Sequence, residues 1–276
     1  MAWTKLPRLV ITDEDGTFLD LGGEGFSCDR FAPVFEKMRA AGCHFAVATS
    51  NQSFQVIDIF GPWAQDICLA TSNGAYVAAE GGELLHVDVA DARAVEGVLA
   101  AHAVHPQIPL CAVCAGGAYV EPGSDPDFVE NMTLYSHGMH QVPTLADPQA
   151  TKDVLMYWSR VPAAELEKSI TVFREAVGDL MDVVDSGVED GWGYFDVVQR
   201  GISKATGLAR LMKRLGIDAA DVVAFGDAGN DVEMLRLAGT GIAMGNAAPE
   251  VKAVADRVCE PCRSQGVLRV LEEIFC

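Results

Sequence analysis

Two acidic residues, Asp13 and Asp15, stand directly behind a short apolar stretch near the start of the chain. The stretch, residues 9–12, is typical of a strand buried on both faces of a parallel sheet. Two carboxylates crowded behind such a strand repel each other unless a cation lies between them or one is protonated. Gly16 allows the backbone to approach a ligand closely, and the Thr17 hydroxyl can hold the turn. By itself the stretch is compatible with a cation site or with an acidic turn.

Two further apolar stretches end in polar clusters. Residues 44–48 are followed by hydroxyl and amide side chains, and residues 221–225 by carboxylates and an amide. If these strands are parallel neighbours of the first, the three clusters converge at one edge of the sheet, where open α/β sheets bind ligands. Oxygen-only ligands suit Mg²⁺, which keeps several waters and takes one or two carboxylates. The side chains expected to converge are Asp13, Asp15, Thr49, Ser50, Asn51, Asp227, Asn230 and Asp231.

An anionic substrate beside these carboxylates also needs a positive charge, and Lys204 is the leading candidate. It stands at the start of a predicted helix, directly after Gly201-Ile202-Ser203, where the helix dipole favours anions. The alternative is a solvated surface lysine, because most lysines are found on protein surfaces.

The elements that must position these residues follow a regular order in both halves of the chain. Strands alternate with helices, which indicates βαβ units and an α/β fold with a Rossmann-like, doubly wound parallel sheet. Helices are predicted over 28–41, 53–60, 203–215, 230–237 and 264–275, and strands over 44–48, 66–70, 192–199, 221–225 and 240–243. The order changes near residues 79–83. The intervening segment predicts helices over 91–102, 125–135 and 162–176, with strands over 108–114, 117–121, 152–159 and 180–185.

These patterns predict a discontinuous catalytic core with a second domain inserted into it. The core comprises residues 1–80 and 188–276, and the inserted α+β domain comprises residues 81–187. The chain of 276 residues, half of them hydrophobic, is long enough for both.

Charge and composition exclude several classes of function. The formal net charge is -19 and there is no run of Lys or Arg, so no nucleic-acid partner is expected. No apolar run approaches the roughly 20 residues that span a bilayer, and the N-terminus lacks the apolar segment of a signal peptide, so no membrane partner is expected. The eight cysteines are scattered among apolar neighbours, as in reduced cytoplasmic proteins, and neither Cys-x-x-Cys pair has the His spacing of a zinc site.

The polar clusters, taken in order, resemble the four motifs of haloacid dehalogenase-superfamily phosphatases. The matching stretches are Asp13-x-Asp15-Gly16-Thr17, the strand-terminal Thr49, the isolated Lys204, and Gly226-Asp227-x-x-Asn230-Asp231. Three more stretches look like the Cof-type subfamily, namely Ser72-Asn73-Gly74-Ala75, residues 201–208 and Ala243-Met244-Gly245-Asn246-Ala247. Members of that subfamily carry a large α/β cap between the second and third motifs, and the interval from Thr49 to Lys204 has room for one.

The resemblance implies a role for each motif residue. Asp13 is the expected nucleophile, which forms an aspartyl-phosphate, and Asp15 is the expected general acid and base. Thr49 and Lys204 are expected to contact the phosphoryl group as further catalytic residues. The implied Mg²⁺ ligands are Asp13, Asp15 through its carbonyl oxygen, Asp227, and Asp231 as a third or indirect ligand. The residues expected to bind phosphate or substrate are Gly16, Ser50, Asn51, Asn73 and Asn230.

The chain departs from the family pattern at the second motif. Cof-type members often follow the motif Thr with Gly-Arg, whereas this chain has Ser50-Asn51. The missing guanidinium leaves fewer cations near the phosphate, so the substrate can differ from the usual sugar phosphates. Candidate substrate contacts in the cap are Tyr119, His137, His140, Trp158 and Arg160, although a structural role is favoured for each; Asn73 and Asn246 are expected at the pocket edge.

The sequence therefore predicts a cytoplasmic Mg²⁺-dependent phosphatase for a small phosphorylated metabolite, such as a sugar or polyol phosphate. A phosphomutase or phosphotransferase has the same motifs, with a second hydroxyl replacing water as the acceptor. A non-catalytic binding protein of the same fold is the third alternative. Neither the natural substrate nor the oligomeric state is predicted.

Overall fold

The computed structural model describes residue 3 and residues 5–20 and 25–276, and it divides into two compact units. The core unit comprises residues up to Thr49, Pro62–Leu85 and Ser203–Cys276. The insert unit comprises Ser50–Gly61 and His86–Ile202.

The strands and helices have the following bounds. The strands are β1 (Leu9–Thr12), β2 (His44–Ala48), β3 (Cys68–Thr71), β4 (Tyr76–Ala78), β5 (Leu84–Val87), β6 (Cys111–Cys114), β7 (Gly117–Val120), β8 (Met139–Gln141), β9 (Val154–Pro162), β10 (Met181–Glu189), β11 (Trp192–Gln199), β12 (Val222–Gly226), β13 (Thr240–Ala243) and β14 (Arg257–Val258). The α-helices are α1 (Cys28–Ala40), α2 (Ser53–Phe60), α3 (Ala92–Val104), α4 (Pro126–Tyr135), α5 (Pro148–Thr151), α6 (Leu166–Val177), α7 (Lys204–Leu215), α8 (Val232–Leu237), α9 (Pro249–Lys252) and α10 (Gly266–Phe275).

The core unit is built on an eight-stranded sheet in the order β14-β13-β12-β1-β2-β3-β4-β5. The six strands from β14 to β3 are parallel to their neighbours, and β4 pairs antiparallel with β3. Every residue of β1 and β12 is buried, as expected for central strands of a sheet with helices on both faces. The predicted α/β fold with a doubly wound parallel sheet is confirmed.

The sheet order places β1 between β12 and β2. Leu9 lies opposite Val222 on one side and opposite His44 on the other, and both registers are parallel. The carboxyl ends of the three strands therefore meet at one edge, as the polar clusters predicted.

The insert unit is built on a six-stranded sheet in the order β10-β11-β9-β6-β7-β8. Its pairs are antiparallel except β7 with β8. One face of the sheet packs against α3 and α6 around Tyr157, Phe173 and Phe195. The other face packs against α4 around Phe128 and Met132. Along β6 the two cores use alternate residues, which is the pattern of a sheet covered on both faces.

The strand over 192–199 has the predicted bounds, but its neighbours are in the insert sheet. β11 pairs with β9 and β10, whereas the sequence analysis assigned residues 188–276 to the core. Asp190 and Gly191, at φ 48° and 83°, form the two-residue turn that reverses the chain between β10 and β11. The two compact units consequently divide at Ile202/Ser203 rather than at residues 187/188.

The segment after Thr49 also groups with the insert unit. The Gln52 side chain donates a hydrogen bond to the Cys114 carbonyl oxygen at 3.3 Å. His137 Nδ1 lies 2.7 Å from Asp58 Oδ2. These contacts join α2 to β6 and to the segment after α4, within the insert unit.

Four short strands of two to four residues, β4, β5, β8 and β14, were not predicted. Across the described ranges, the helices are all too short or too polar to cross a bilayer.

Candidate active site

The turn after β1 is closed by backbone hydrogen bonds around Glu14. Its carbonyl oxygen accepts hydrogen bonds from the N–H groups of Thr17, Phe18 and Leu19. The Asp13 N–H donates to the Phe225 carbonyl oxygen at 3.0 Å, so the first residue of the turn is still tied to β12. The turn leaves Asp13 almost fully buried at the sheet edge.

The turn after β12 closes around the Asp231 carboxylate. Asp231 Oδ2 accepts hydrogen bonds from the N–H groups of Asp227 at 2.9 Å and Ala228 at 3.0 Å. A Cβ atom on Gly226 would lie 2.4 Å from the Cβ atom of Asp231, so only glycine fits there. Asp231 is fully buried, and its carboxylate shapes the loop that presents Asp227.

Lys204 brings the two turns together. It is the first residue of α7, whose N-terminus is fixed by reciprocal hydrogen bonds between Ser203 and Thr206, a capping box. Its Nζ atom lies 2.5 Å from Asp13 Oδ1 and 2.8 Å from Asp231 Oδ1. With only 2% of the residue exposed, Lys204 is a buried ion-pair partner, and the surface alternative is wrong.

Three carboxylates, Asp13, Asp227 and Asp231, form a compact cluster at this edge. One oxygen from each lies within 4.8 Å of the others, which is close enough for a single metal ion to contact all three. The donors are all oxygen, as Mg²⁺ prefers, and the cluster carries more negative than positive charge. The residues present therefore fit a divalent cation.

The electrostatics of the cluster also favour a cation. Burial and the neighbouring Asp231 charge raise the pKa of Asp13 well above its usual value, with Lys204 acting in the opposite direction. Burial and Asp231 likewise raise the pKa of Asp227 to about 6, against the hydrogen bond from Thr17. Burial alone would lower the pKa of Lys204, but the charges of Asp13 and Asp231 outweigh it and raise that pKa. The cluster thus favours either a further positive charge or a bound proton beside Lys204.

The Asp227 carboxylate is held by donors on both oxygens. Thr17 Oγ1 donates to Oδ1 at 2.8 Å, so this hydroxyl reaches across to β12 instead of only holding its own turn. Asn246 Nδ2 donates to Oδ2 at 3.3 Å. A Cβ atom on Gly16, whose φ is +76°, would lie 2.5 Å from Oδ2, so the predicted close approach at Gly16 is to this carboxylate.

Thr49 and two asparagines lie on neighbouring loops of the core unit. Thr49 is buried at the end of β2, and its carbonyl oxygen accepts a hydrogen bond from the Asn73 N–H at 2.9 Å. Asn230 Nδ2 donates to Asn73 Oδ1 at 3.4 Å. Ser72 and Asn73 adopt left-handed backbone conformations, with φ of 50° and 55°. Loops after β2, β3 and β12 are thereby linked to one another.

Comparison with known proteins assigns this chain to a family. The haloacid dehalogenase-like hydrolase family matches the chain over residues 10–271. The chain belongs to this family. The 5-amino-6-(5-phospho-D-ribitylamino)uracil phosphatase YbjI of Escherichia coli is 32% identical over 272 residues, which cover 97% of this chain and 96% of that protein. The HMP-PP phosphatase of Cronobacter sakazakii is 27% identical over 270 residues, which cover 96% of this chain and 95% of that protein.

A solved structure shows the same fold. SMU.1108c from Streptococcus mutans matches with a TM-score of 0.86 at 23% identity, over 96% of this chain and 98% of that chain. The chain is a haloacid dehalogenase-like phosphatase, and the resemblance to the Cof type is confirmed.

The structure also places three further predicted site residues of this phosphatase. Asp15 is half-buried within the turn after β1, where it forms an isolated bridge with Leu19. Ser50 and Asn51, the latter 5% exposed, group with the insert unit. The catalytic and binding roles given to these three residues stay predictions.

The cap candidates of this phosphatase all have neighbours within the insert unit. The Arg160 guanidinium stacks 4.2 Å from the ring centre of Trp192. The rings of Tyr119 and His140 lie 5.6 Å apart, and Trp158 packs edge-on against Tyr135. His137 is paired with Asp58. These contacts give each candidate a structural role, and substrate contact by any of them stays a prediction.

The sequence analysis did not foresee that Thr17 and Asn246 both hold Asp227. Asn246 was expected only at the pocket edge, although it stands on the loop after β13, the strand next to β12. The order of the strands brings the loop after β13 beside Asp227. Once β13 had been predicted, a position next to β12 was the signal from which this contact could have been inferred.

Proposed function

We propose that this chain is a Mg²⁺-dependent phosphatase that hydrolyses a small phosphorylated metabolite through an aspartyl-phosphate on Asp13. The observation that carries the proposal is the position of Lys204 Nζ, between the buried carboxylates of Asp13 and Asp231. A lysine held there can neutralise a phosphoryl group that approaches Asp13, and interactions of this kind act where charge develops in the transition state.

The chain supplies both steps of the hydrolysis. In the first, an Asp13 carboxylate oxygen attacks phosphorus, and the bond between phosphorus and the ester oxygen breaks as Asp15 gives its proton to the leaving alkoxide. In the second, Asp15 takes a proton from water, whose oxygen attacks the same phosphorus and releases Asp13 and inorganic phosphate. Thr49 and Lys204 contact the phosphoryl oxygens throughout.

The metal ligands in this proposal are Asp13, the carbonyl oxygen of Asp15, and Asp227. When bound, Mg²⁺ supplies positive charge against the phosphoryl oxygens. Asp231 already accepts hydrogen bonds from Lys204 on one oxygen and from two backbone N–H groups on the other. We therefore favour Asp231 as the group that holds Lys204 and the β12 turn, with at most an indirect role at the metal.

The proposed substrate is a phosphate monoester of a polyol or sugar. Both relatives match over nearly their whole length; the Escherichia coli one is named for a phosphoribityl compound, which is a polyol phosphate, and the Cronobacter sakazakii one is named as an HMP-PP phosphatase. The residues proposed to line the phosphate and the adjoining substrate are Gly16, Ser50, Asn51, Asn73 and Asn230. The proposal includes the cytoplasmic location that the sequence predicts.

The test compares Asp13→Asn with the parent and with Asp29→Asn, an exposed aspartate on α1. Each protein is assayed for phosphate release from an aryl phosphate and from ribitol 5-phosphate, with Mg²⁺ and after chelation. We expect the parent and Asp29→Asn to need Mg²⁺, and Asp13→Asn to lose at least about 10³-fold in kcat, as when a nucleophile is removed.

Full turnover by Asp13→Asn would contradict the proposed nucleophile. Formation of a phosphate isomer without release of inorganic phosphate would instead favour transfer to a second hydroxyl. Full turnover by the parent after complete chelation would contradict the proposed metal dependence.

A further inference from the structure

We infer that Asn246 is a positioning residue, which orients the Asp227 carboxylate for the metal. The inference rests on the proposed metal-dependent function and deepens it. Asn246 stands three residues after β13, outside the four sequence motifs that carry the proposed chemistry.

The amide of Asn246 has contacts at both of its ends. Its nitrogen donates to the Gly16 carbonyl oxygen at 2.8 Å and to Asp227 Oδ2 at 3.3 Å. Its oxygen accepts a hydrogen bond from the Cys262 N–H at 2.9 Å. Only one orientation of the amide is compatible with these neighbours. Rotation by 180° would place its oxygen against two acceptors and its nitrogen against a donor.

The far end of the amide is attached to well-packed backbone. Cys262 is 7% exposed and lies in the short 3₁₀ turn before α10, a helix that buries most of its apolar side chains. The hydrogen bond from its N–H therefore fixes the direction in which the amide nitrogen points. The nitrogen in turn links the turn after β1, through Gly16, to the carboxylate after β12.

An amide suits this task better than a charged side chain would. With Thr17 on Oδ1 and Asn246 on Oδ2, each oxygen of Asp227 accepts one neutral donor. Each oxygen keeps a second lone pair, and rotation of the carboxylate breaks both hydrogen bonds. Neutral donors also leave the negative charge of Asp227 available to a cation, whereas a lysine or arginine there would compete with it. Partners of this kind set the orientation of metal-binding carboxylates.

The exposure of Asn246 makes the inference testable by mutation. The residue is exposed, but its amide makes three hydrogen bonds, so its loss also affects folding, and Tm without metal measures that effect apart from Mg²⁺ affinity. Its role at the metal can therefore be separated from a role in folding.

A matched control, Lys252, lies at the end of α9, the short helix that follows the loop. Lys252 Nζ donates to the Gly245 carbonyl oxygen at 2.7 Å, so it holds the loop by its backbone one residue before Asn246. Within the part of the chain that the structure describes, Lys252 forms no hydrogen bond or ion pair with the carboxylate cluster. Lys252→Gln thus weakens the attachment of the loop without removing the donor to Asp227.

The experiment measures Mg²⁺ binding by isothermal titration calorimetry for the parent, Asn246→Leu, Asn246→Ala and Lys252→Gln. Asn246→Leu keeps the side-chain volume, and Asn246→Ala removes the amide without adding apolar surface. Tm without metal and the kcat and KM values for an aryl phosphate are measured on the same preparations. Loss of one such partner typically weakens metal binding by about 10–100-fold.

We expect both Asn246 variants to bind Mg²⁺ about 10-fold or more weakly, to lose kcat at moderate Mg²⁺ with little change in KM, and to recover kcat as Mg²⁺ is raised. Lys252→Gln is expected to keep the affinity of the parent. Equal Mg²⁺ affinity in the parent and the Asn246 variants would overturn this inference but not the proposed metal-dependent function. A lowered Tm with unchanged affinity would show a purely structural role. Absence of Mg²⁺ binding by the parent would overturn the proposed metal site, and the inference with it.

Discussion

At the scale of single residues, Lys204 shows why the site could be predicted only in part from the sequence. The sequence placed a lysine at a helix start but could not distinguish a solvated side chain from a buried one, because burial depends on pairing between distant parts of the chain. The same limit applied to Thr17, whose hydroxyl is locally suited to its own turn yet donates to a carboxylate on another strand. The carboxylates themselves were predictable, because they directly follow the apolar runs of two strands, β1 and β12.

Lys204→Met should destabilise the metal-free protein in a pH-dependent way. Asp13 and Asp231 would remain buried without their ammonium partner, and breaking such a pair costs about 3–5 kcal/mol. The pKa of Asp13 in the folded protein is already raised, and it would rise further without the ammonium group of Lys204. The stability contribution of such a carboxyl is fully present at low pH, where it is protonated, and is lost as pH rises through the folded pKa. Urea unfolding should therefore show a larger loss at pH 8 than at pH 5.

The control for this variant is Lys213→Met, an exposed lysine on the same helix. It should change the free energy of unfolding by less than about 0.5 kcal/mol at either pH. A loss for Lys204→Met that is the same at both pH values would contradict the account of its carboxylate neighbours.

At the scale of elements, strand ends and tight turns make the site. The strands β1, β2, β12 and β13 were predicted within a residue or so, since each is a short apolar run followed by turn residues. Their order in the sheet was not predicted, because the sequence analysis took the adjacency of three of these strands only as a condition. The placement of β11 was missed, although Asp190-Gly191 is a strong hairpin signal that ties it to β10. The very short strands carry too few residues for any periodicity.

Gly16→Ala tests whether the turn after β1 must approach Asp227 so closely. The new methyl group would lie 2.5 Å from Asp227 Oδ2, and it would also meet the strain of φ +76°. We expect kcat to fall by about 10²-fold or more, because a displacement of about 1 Å at a catalytic group has effects of that order. The measurement is steady-state hydrolysis of an aryl phosphate with saturating Mg²⁺.

Gly42→Ala separates backbone strain from the clash. Gly42 has φ +72°, but a Cβ atom there would have no neighbour within 4 Å. It should lose about 1 kcal/mol of stability and keep its kcat. Similar kcat values for the Gly16 and Gly42 variants would show that contact with Asp227 is not needed.

At the scale of the whole molecule, two compact units and a strongly acidic composition are the main features. The α/β class and the presence of an inserted segment were predictable from the change in element order. The division at Ile202/Ser203 was not, because long-range pairing of β11 decides it. Likewise, α2 follows β2 in sequence, but its side-chain contacts are with the insert unit.

The net charge of -19 predicts that salt stabilises the metal-free protein. Raising NaCl from about 10 mM to about 200 mM shortens the Debye length from about 30 Å to below about 10 Å, which screens repulsion among the excess carboxylates. We expect Tm to rise by about 2–4 °C in a thermal scan with chelator, equivalent to about 1 kcal/mol for a chain of this size.

Choline chloride should act as NaCl does, since screening does not depend on which monovalent cation is present. A rise with NaCl but not with choline would indicate specific sodium binding instead of screening.

The pairing of β1 with β12 determines how late in synthesis the carboxylate cluster can form. Thr17 and Asp227, which share a hydrogen bond, are 210 positions apart. A ribosome-bound chain that has emerged only as far as β11 therefore has its first acidic turn but neither the lysine nor the other two carboxylates. Pairing over such a distance is slow, because a large loop must close first. Cation binding during synthesis should accordingly begin only after β12 and its turn have emerged, which makes it a late marker of correct folding.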